Sequence, residues 1–178
     1  MILSDFDLEG FINDKRLVVD PFKKEIIREN GLDMRLSNEV ARHNPKLGGD
    51  FVVDPSDPET LKEEYVIEKD LKEIVLRPKE QVLLSTMEFV GLPDNLIGFV
   101  ELRSTWARHG LFMPPTIIDA GFAGTVTLEV FNSSKFAILL RPEVRFAHVI
   151  FATTLNRVRN AYKGTYLNQR GIFLPKKL

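Results

Sequence analysis

Brief apolar runs separated by turn residues fill the chain from Glu73 onward, and they limit its fold more than any other feature. Ile74–Leu76, Val82–Ser85, Ile97–Val100, Thr125–Phe131, Ala137–Leu140 and Phe146–Ala152 are strand-sized, with no long helical pattern between them. Such spacing predicts a mostly β protein, a sandwich, distorted jelly roll or β-barrel, rather than alternating βαβ units. Ten prolines and eleven glycines suit the turns this class requires.

Before that region, Ser4 and Asp7 precede Leu8, Phe11 and Ile12 at one-face spacing, which predicts a short capped helix ending near Asn13 and Asp14. Leu17–Val19 and Asp33–Leu36 read as strands, the second after the turn Glu29-Asn30-Gly31. Arg42 to Thr60, with three prolines and adjacent glycines, reads as a long loop, and Leu61–Tyr65 as a helical turn. The segment 157–178 is basic, weakly patterned and broken by Gly164 and Gly171, so it reads as an arm that orders on something else. With 178 residues, the whole chain is expected to form one domain.

Composition removes several functions. The formal net charge of -1 takes away the usual electrostatic basis for nucleic-acid binding, while leaving room for a local basic cluster that holds a small nucleotide. No cysteine is present, which excludes disulfides, thiolate zinc sites and a cysteine nucleophile. The apolar runs fall short of a membrane helix, and the opening MILSDFDLEG carries acids where a signal peptide carries bases, so a cytoplasmic protein is expected.

Three clusters are candidates for chemistry. Arg103-Ser104-Thr105-Trp106-Ala107-Arg108 follows an apolar strand, and its two guanidiniums and two hydroxyls suit a polyphosphate cradle or, equally, a solvated basic turn. In the strand Thr125–Phe131, Val126, Leu128 and Val130 share one face, and Thr127, Glu129 and Phe131 the other. Glu129 is the anomaly: such a carboxylate is either on a wetted face or in a pocket that raises its pKa for acid–base work. Asp119, before a glycine turn, suits turn capping. The third cluster, Asn160, Tyr162, Lys163, Tyr166, Gln169 and Arg170, suits a lid over a phosphorylated ligand or a disordered basic terminus. The histidines lack the glutamate and Pro-Cys-x-x-Cys partners of a zinc deaminase. His148 reads as a core or interface residue and His109 as a surface one.

The ordered segments together resemble the dCTP deaminase branch of the dUTPase superfamily. MILSDFDLEGFI is similar to its N-terminal helix, GLDMRLS to its first strand, and LPDNLIGFVELRSTWAR to its strand and the phosphate motif that opens Arg-Ser-Ser and closes on Arg. IDAGFAGTVTLEVFN resembles its Asp-x-Gly-Phe-x-Gly turn and Leu-Glu strand, and NAYKGTYLNQRG its nucleotide-closing tail. The chain departs from that pattern at several points. Leu102 stands in place of Gly and Thr105 in place of the second Ser. Phe112–Thr116 is shortened and carries Pro114-Pro115, which lack N–H donors, and Thr165 stands where many relatives carry lysine.

The resemblance implies a dUTPase-like distorted jelly roll in a homotrimer, two of which can pair as a hexamer, with active sites at subunit boundaries. It implies hydrolytic, zinc-independent deamination of dCTP to dUTP, feeding dUMP and dTTP synthesis, with dTTP a candidate inhibitor. Glu129 would be the general base, and Ser104 and Arg108 would position base, water and tetrahedral intermediate. Arg103 and Thr105 would hold phosphates, Asp119 the 3′-hydroxyl and Phe122 the sugar. Tyr162, Lys163, Tyr166 and Gln169 would close over a triphosphate neutralised by Mg2+. A bifunctional deaminase–dUTPase, a dUTP diphosphatase and a non-catalytic deoxynucleotide sensor are the alternatives.

Overall fold

The computed structural model describes residues 1–177. Helix α1 (Asp5–Asn13) leads to β1 (Val18–Asp20), a 3-10 turn (Lys24–Ile26), β2 (Ile27–Arg28), β3 (Gly31–Arg35) and β4 (Val40–His43). Then come α2 (Pro58–Glu64), β5 (Tyr65–Glu68), β6 (Ile74–Leu76), β7 (Gln81–Ser85), β8 (Phe89–Gly91) and β9 (Leu96–Leu102). Helix α3 (Ser104–Arg108) precedes β10 (Leu111–Phe112), β11 (Thr116–Ile118), β12 (Ala123–Gly124), β13 (Thr127–Asn132), β14 (Ile138–Leu140) and β15 (Arg145–Thr153).

Two five-stranded antiparallel sheets form the body, ordered β11-β9-β15-β3-β2 and β10-β13-β7-β4-β5. Their inner faces contribute Leu32, Met34, Val100, Val149 and Phe151 from one sheet and Val40, Val82, Leu84, Leu128 and Val130 from the other to a single apolar core. Smaller ladders, β1-β8-β12 and β14-β6, flank them. The result is a mostly β, jelly-roll-like sandwich with a short N-terminal helix, as the apolar spacing predicts. No helix among the described residues is long and apolar enough to cross a membrane.

Local chemistry explains the helix ends. Ser4 accepts from the Asp7 amide while the Asp7 carboxylate accepts from the Ser4 amide, a reciprocal cap that fixes the start of α1. The expected loop from Arg42 to Thr60 is shorter at both ends. Arg42 and His43 complete β4, paired with Val66 and Tyr65 of β5, and Pro58 opens α2. Asp57 accepts from the Glu59 amide at 3.0 Å and Pro58 needs no donor at that position, so the helix starts earlier than Leu61.

The C-terminal arm lies on its own chain. Amides of Val158, Tyr162 and Asn168 donate to carbonyls of Asp94, Ala120 and Ala123. Beyond them the Ile172 amide donates to the Glu39 carboxylate at 2.7 Å and the Phe173 amide to the Thr127 hydroxyl at 3.1 Å. Gly171 permits this docking: its φ is +72°, and a Cβ there would run into the Glu39 carboxylate.

Candidate active site

Strand alternation puts Leu128, Val130 and Asn132 into the core and leaves Thr127, Glu129 and Phe131 half-buried on the outer face. Across that face Glu129 pairs with Leu83 of β7, which pairs with Ala41 of β4, which pairs with Ile67 of β5. The row is apolar apart from the glutamate. Ala41, Tyr65 and Leu83 form a second small core there with Ile172 of the arm, and Ile67 and Leu174 pack against it. An outer sheet face that would otherwise be wet is therefore covered by the chain's own C-terminus.

Glu129 sits at the edge of this covered region, in a cavity of about 500 Å³. Burial pushes its carboxyl above the ordinary value, because the charged form loses hydration there. Asp119, Phe122, Tyr162, Tyr166 and Gln169 line the same cavity. Asp119 is exposed, and its carbonyl accepts from the Phe122 amide at 3.0 Å, closing the turn that contains Gly121. Phe122 is buried and meets Tyr162 edge to face, with ring centres 5.6 Å apart. Gly121 has φ +86°, and a Cβ there would approach the Ala161 Cβ within 2.6 Å, so the turn and the arm meet only because glycine occupies that point.

The arm supplies much of the cavity wall. Tyr166 meets Phe173 edge to face at 5.9 Å, and its amide donates to the Tyr162 hydroxyl at 3.3 Å. Gln169 is buried; its amide nitrogen donates to the Thr125 carbonyl, while its Oε1 has no partner. That orphaned acceptor can take a donor from a molecule in the cavity. Lys163 is exposed beside Tyr162 but does not line the wall.

Arg103, Ser104, Thr105 and Arg108 do not line this cavity. Ser104, Thr105 and Arg108 are exposed along α3, just after β9. Arg103 donates to the Arg145 carbonyl at 3.1 Å and lies 3.2 Å from the Asp33 carboxylate. In a single chain the sequence clusters thus fall into two places: Glu129, Asp119, Phe122 and the arm in one, the α3 segment in another. His109 is exposed as expected, and His148 is partly buried against Asp33, 2.9 Å away.

Sequence reading missed several wall residues, among them Tyr65, Gln81 and Phe173. Tyr65 stacks on His43 at 4.7 Å, and its phenol is pushed up to about 12 by burial, with the Glu64 and Glu129 carboxylates adding to the shift. It stays a neutral donor at any physiological pH. No local signal marks it, because it reaches the cavity through the β4–β5 pairing.

Among the described residues, no three histidines or carboxylates gather as a metal cage. What the cavity offers is a half-buried carboxylate, Glu129, whose pKa burial raises, a second and exposed carboxylate at Asp119, apolar and aromatic walls, and further polar groups.

The dCTP deaminase-like family model matches residues 2–154. The chain is 46% identical to a dCTP deaminase of Sulfurisphaera tokodaii over 176 residues, covering 99% of this chain and 92% of that one. A dCTP deaminase of Acidianus ambivalens is 45% identical, with 99% and 98% covered. Among solved structures, the 2′-deoxycytidine 5′-triphosphate deaminase from Agrobacterium tumefaciens superposes with a TM-score of 0.65 at 20% identity, a likeness of fold. The match covers 84% of this chain and 46% of that longer one. The chain belongs to the dCTP deaminase-like family.

Proposed function

We infer that the protein deaminates dCTP hydrolytically, releasing ammonia and dUTP. The observation that carries this reading is Glu129, a carboxylate with a raised pKa on a covered sheet face inside a nucleotide-sized cavity. Cytosine C4 is a weak electrophile, so water needs a base beside it. Glu129 takes one proton from water as its oxygen bonds to C4, and passes that proton to N3. The resulting tetrahedral carbon then loses its amine: Glu129 takes the remaining hydroxyl proton and delivers it to nitrogen as the C–N bond breaks. A carboxyl with a pKa shifted toward neutrality can both take and give.

The other roles follow the cavity's chemistry. Phe122 gives the deoxyribose an apolar wall, and Asp119 accepts from its 3′-hydroxyl. Tyr162, Tyr166, Gln169 and Lys163 belong to the arm that closes over the triphosphate. Ser104 and Arg108 hold the base, water and intermediate, and Arg103 and Thr105 the phosphates. Their absence from the cavity wall within one chain supports a homotrimer in which a second copy brings its α3 to this cavity. An apolar row on the outer face of the other sheet, Ile117–Phe99–Ile150, supports the same assembly: Ile117 and Phe99 are exposed beside the cavity. Mg2+ would come with the triphosphate rather than with a cage of protein side chains, since none gathers among the described residues, and it would supply charge neutralisation.

The test is dCTP with Mg2+, ammonia and pyrophosphate being measured separately. Ammonia without pyrophosphate is expected, and Glu129→Gln should lower its release by at least about 10²–10⁴-fold while dCTP still binds. Both products would indicate a bifunctional enzyme. Pyrophosphate from dUTP with no ammonia from dCTP overturns the proposal, and binding without turnover makes the protein a sensor.

A further inference from the structure

Asp33 lies in the middle of β3, a strand buried along its whole length, yet it faces away from the apolar core. Its side chain is only 4% exposed because His148 and two arginines cover it. His148 Nδ1 lies 2.9 Å from Oδ1, and Arg103 Nε and Arg145 Nη1 lie 3.2 and 3.5 Å from Oδ2. Arg28 Nε stands further out at 4.0 Å. A carboxylate this dry is costly unless paired, and this one is paired on both oxygens.

The geometry around Arg145 ties the cluster to α3. Its carbonyl accepts from Arg103 Nη1 at 3.1 Å and from the Trp106 indole at 3.0 Å, so the start of β15 docks the helix that carries Ser104 and Arg108. Two guanidiniums are thereby gathered on one carboxylate oxygen, where alone they would repel one another. They outnumber Asp33, and each remains partly open to solvent, Arg103 at 28% and Arg145 at 41%. A fixed pair of guanidiniums with excess positive charge beside the exposed hydroxyls of Ser104 and Thr105 is suited to a polyanion with several oxygens.

The geometry points to Asp33 as a positioning residue that aligns Arg103 with Arg145, and to Arg145 as a further polyphosphate-binding residue. The assignment deepens the reading of the protein as a dCTP deaminase, since it specifies how the triphosphate end is held. It acts on binding and leaves the proton transfers at Glu129 untouched.

Inorganic tripolyphosphate is the probe that separates the two ideas, because its binding to the intact protein needs no turnover. Calorimetry should show its affinity reduced about tenfold by Arg145→Met, as expected for loss of one charge-assisted contact, and by Asp33→Asn to a similar extent. Deoxycytidine, which lacks phosphates, should bind both variants as it binds the unaltered protein. With dCTP, KM should rise more than kcat falls. Arg141→Met, at an exposed arginine paired with Glu73, should leave tripolyphosphate affinity unchanged. If Asp33→Asn fails to fold, Arg145→Met decides the matter, because its side chain is partly exposed. Unchanged tripolyphosphate affinity in Arg145→Met, or equal losses for tripolyphosphate and deoxycytidine, overturns the proposal. Tripolyphosphate binding that depends on Arg145 in a protein that releases no ammonia would sink the deaminase reading and leave this one standing.

Discussion

Burial raises the pKa of Glu129 because its charged form gives up hydration that the covered sheet face does not replace. Between the ordinary value of 4.5 and the higher value in the folded protein, the native state keeps a proton that the unfolded chain has released. The stability tied to that proton is present at low pH and is lost as pH rises through the folded value. Glu129→Gln removes the titration, so its melting temperature should exceed that of the unaltered protein above this window. The gain should shrink and vanish as pH falls below the ordinary carboxylate range. Thermal melts across pH check this, and a difference independent of pH would assign the effect to packing. The same residue that should be needed for turnover should therefore cost stability where turnover occurs.

At the scale of elements, the C-terminal arm controls how dry that carboxylate is. Ile172 is buried in the small core with Ala41, Tyr65 and Leu83, on the same sheet face as Glu129. Ile172→Ala should weaken arm docking by about 2 kcal/mol, the lower end for a buried aliphatic truncation, while the two main sheets stay folded. Hydrogen exchange should quicken at the amides of Tyr162, Asn168 and Ile172 and not in β3 or β15. Water admitted to the face should bring the Glu129 pKa down toward its ordinary value, moving the acid limb of the kcat pH profile lower. Faster exchange with an unmoved acid limb would show that the arm does not set the base. None of this docking was legible in the sequence, where the arm's irregular composition suggests a segment without a partner in its own chain. Its anchors, Glu39 and Thr127, are more than forty residues away. By contrast, α1 was legible because Ser4 and Asp7 cap it locally, and β13 because alternation exposes Glu129 as the one acid in an apolar strand. Tyr65 escaped because sheet register, rather than any local pattern, brings it to the cavity.

At the scale of the whole molecule, no residue of α3 lines the Glu129 cavity of its own chain, which bears on the proposed assembly. If each site combines Glu129 of one copy with Ser104 and Arg108 of another, then breaking the apolar row Ile117–Phe99–Ile150 should abolish turnover without unfolding the chain. Phe99→Asp puts a charge on that exposed row, and light scattering should then report a mass near 20.3 kDa instead of three times that value. A sharper test leaves the assembly intact. Glu129→Gln and Arg108→Ala proteins are each expected to be inactive, because every site in either homotrimer lacks one partner. When their subunits are exchanged, a site can pair the intact Glu129 of the Arg108→Ala copy with the intact α3 of the Glu129→Gln copy. Random mixing at equal amounts makes each condition hold half the time, so about a quarter of the unaltered activity should return. A site built within one chain gives none back whatever the mixing ratio, since no single copy then carries both groups.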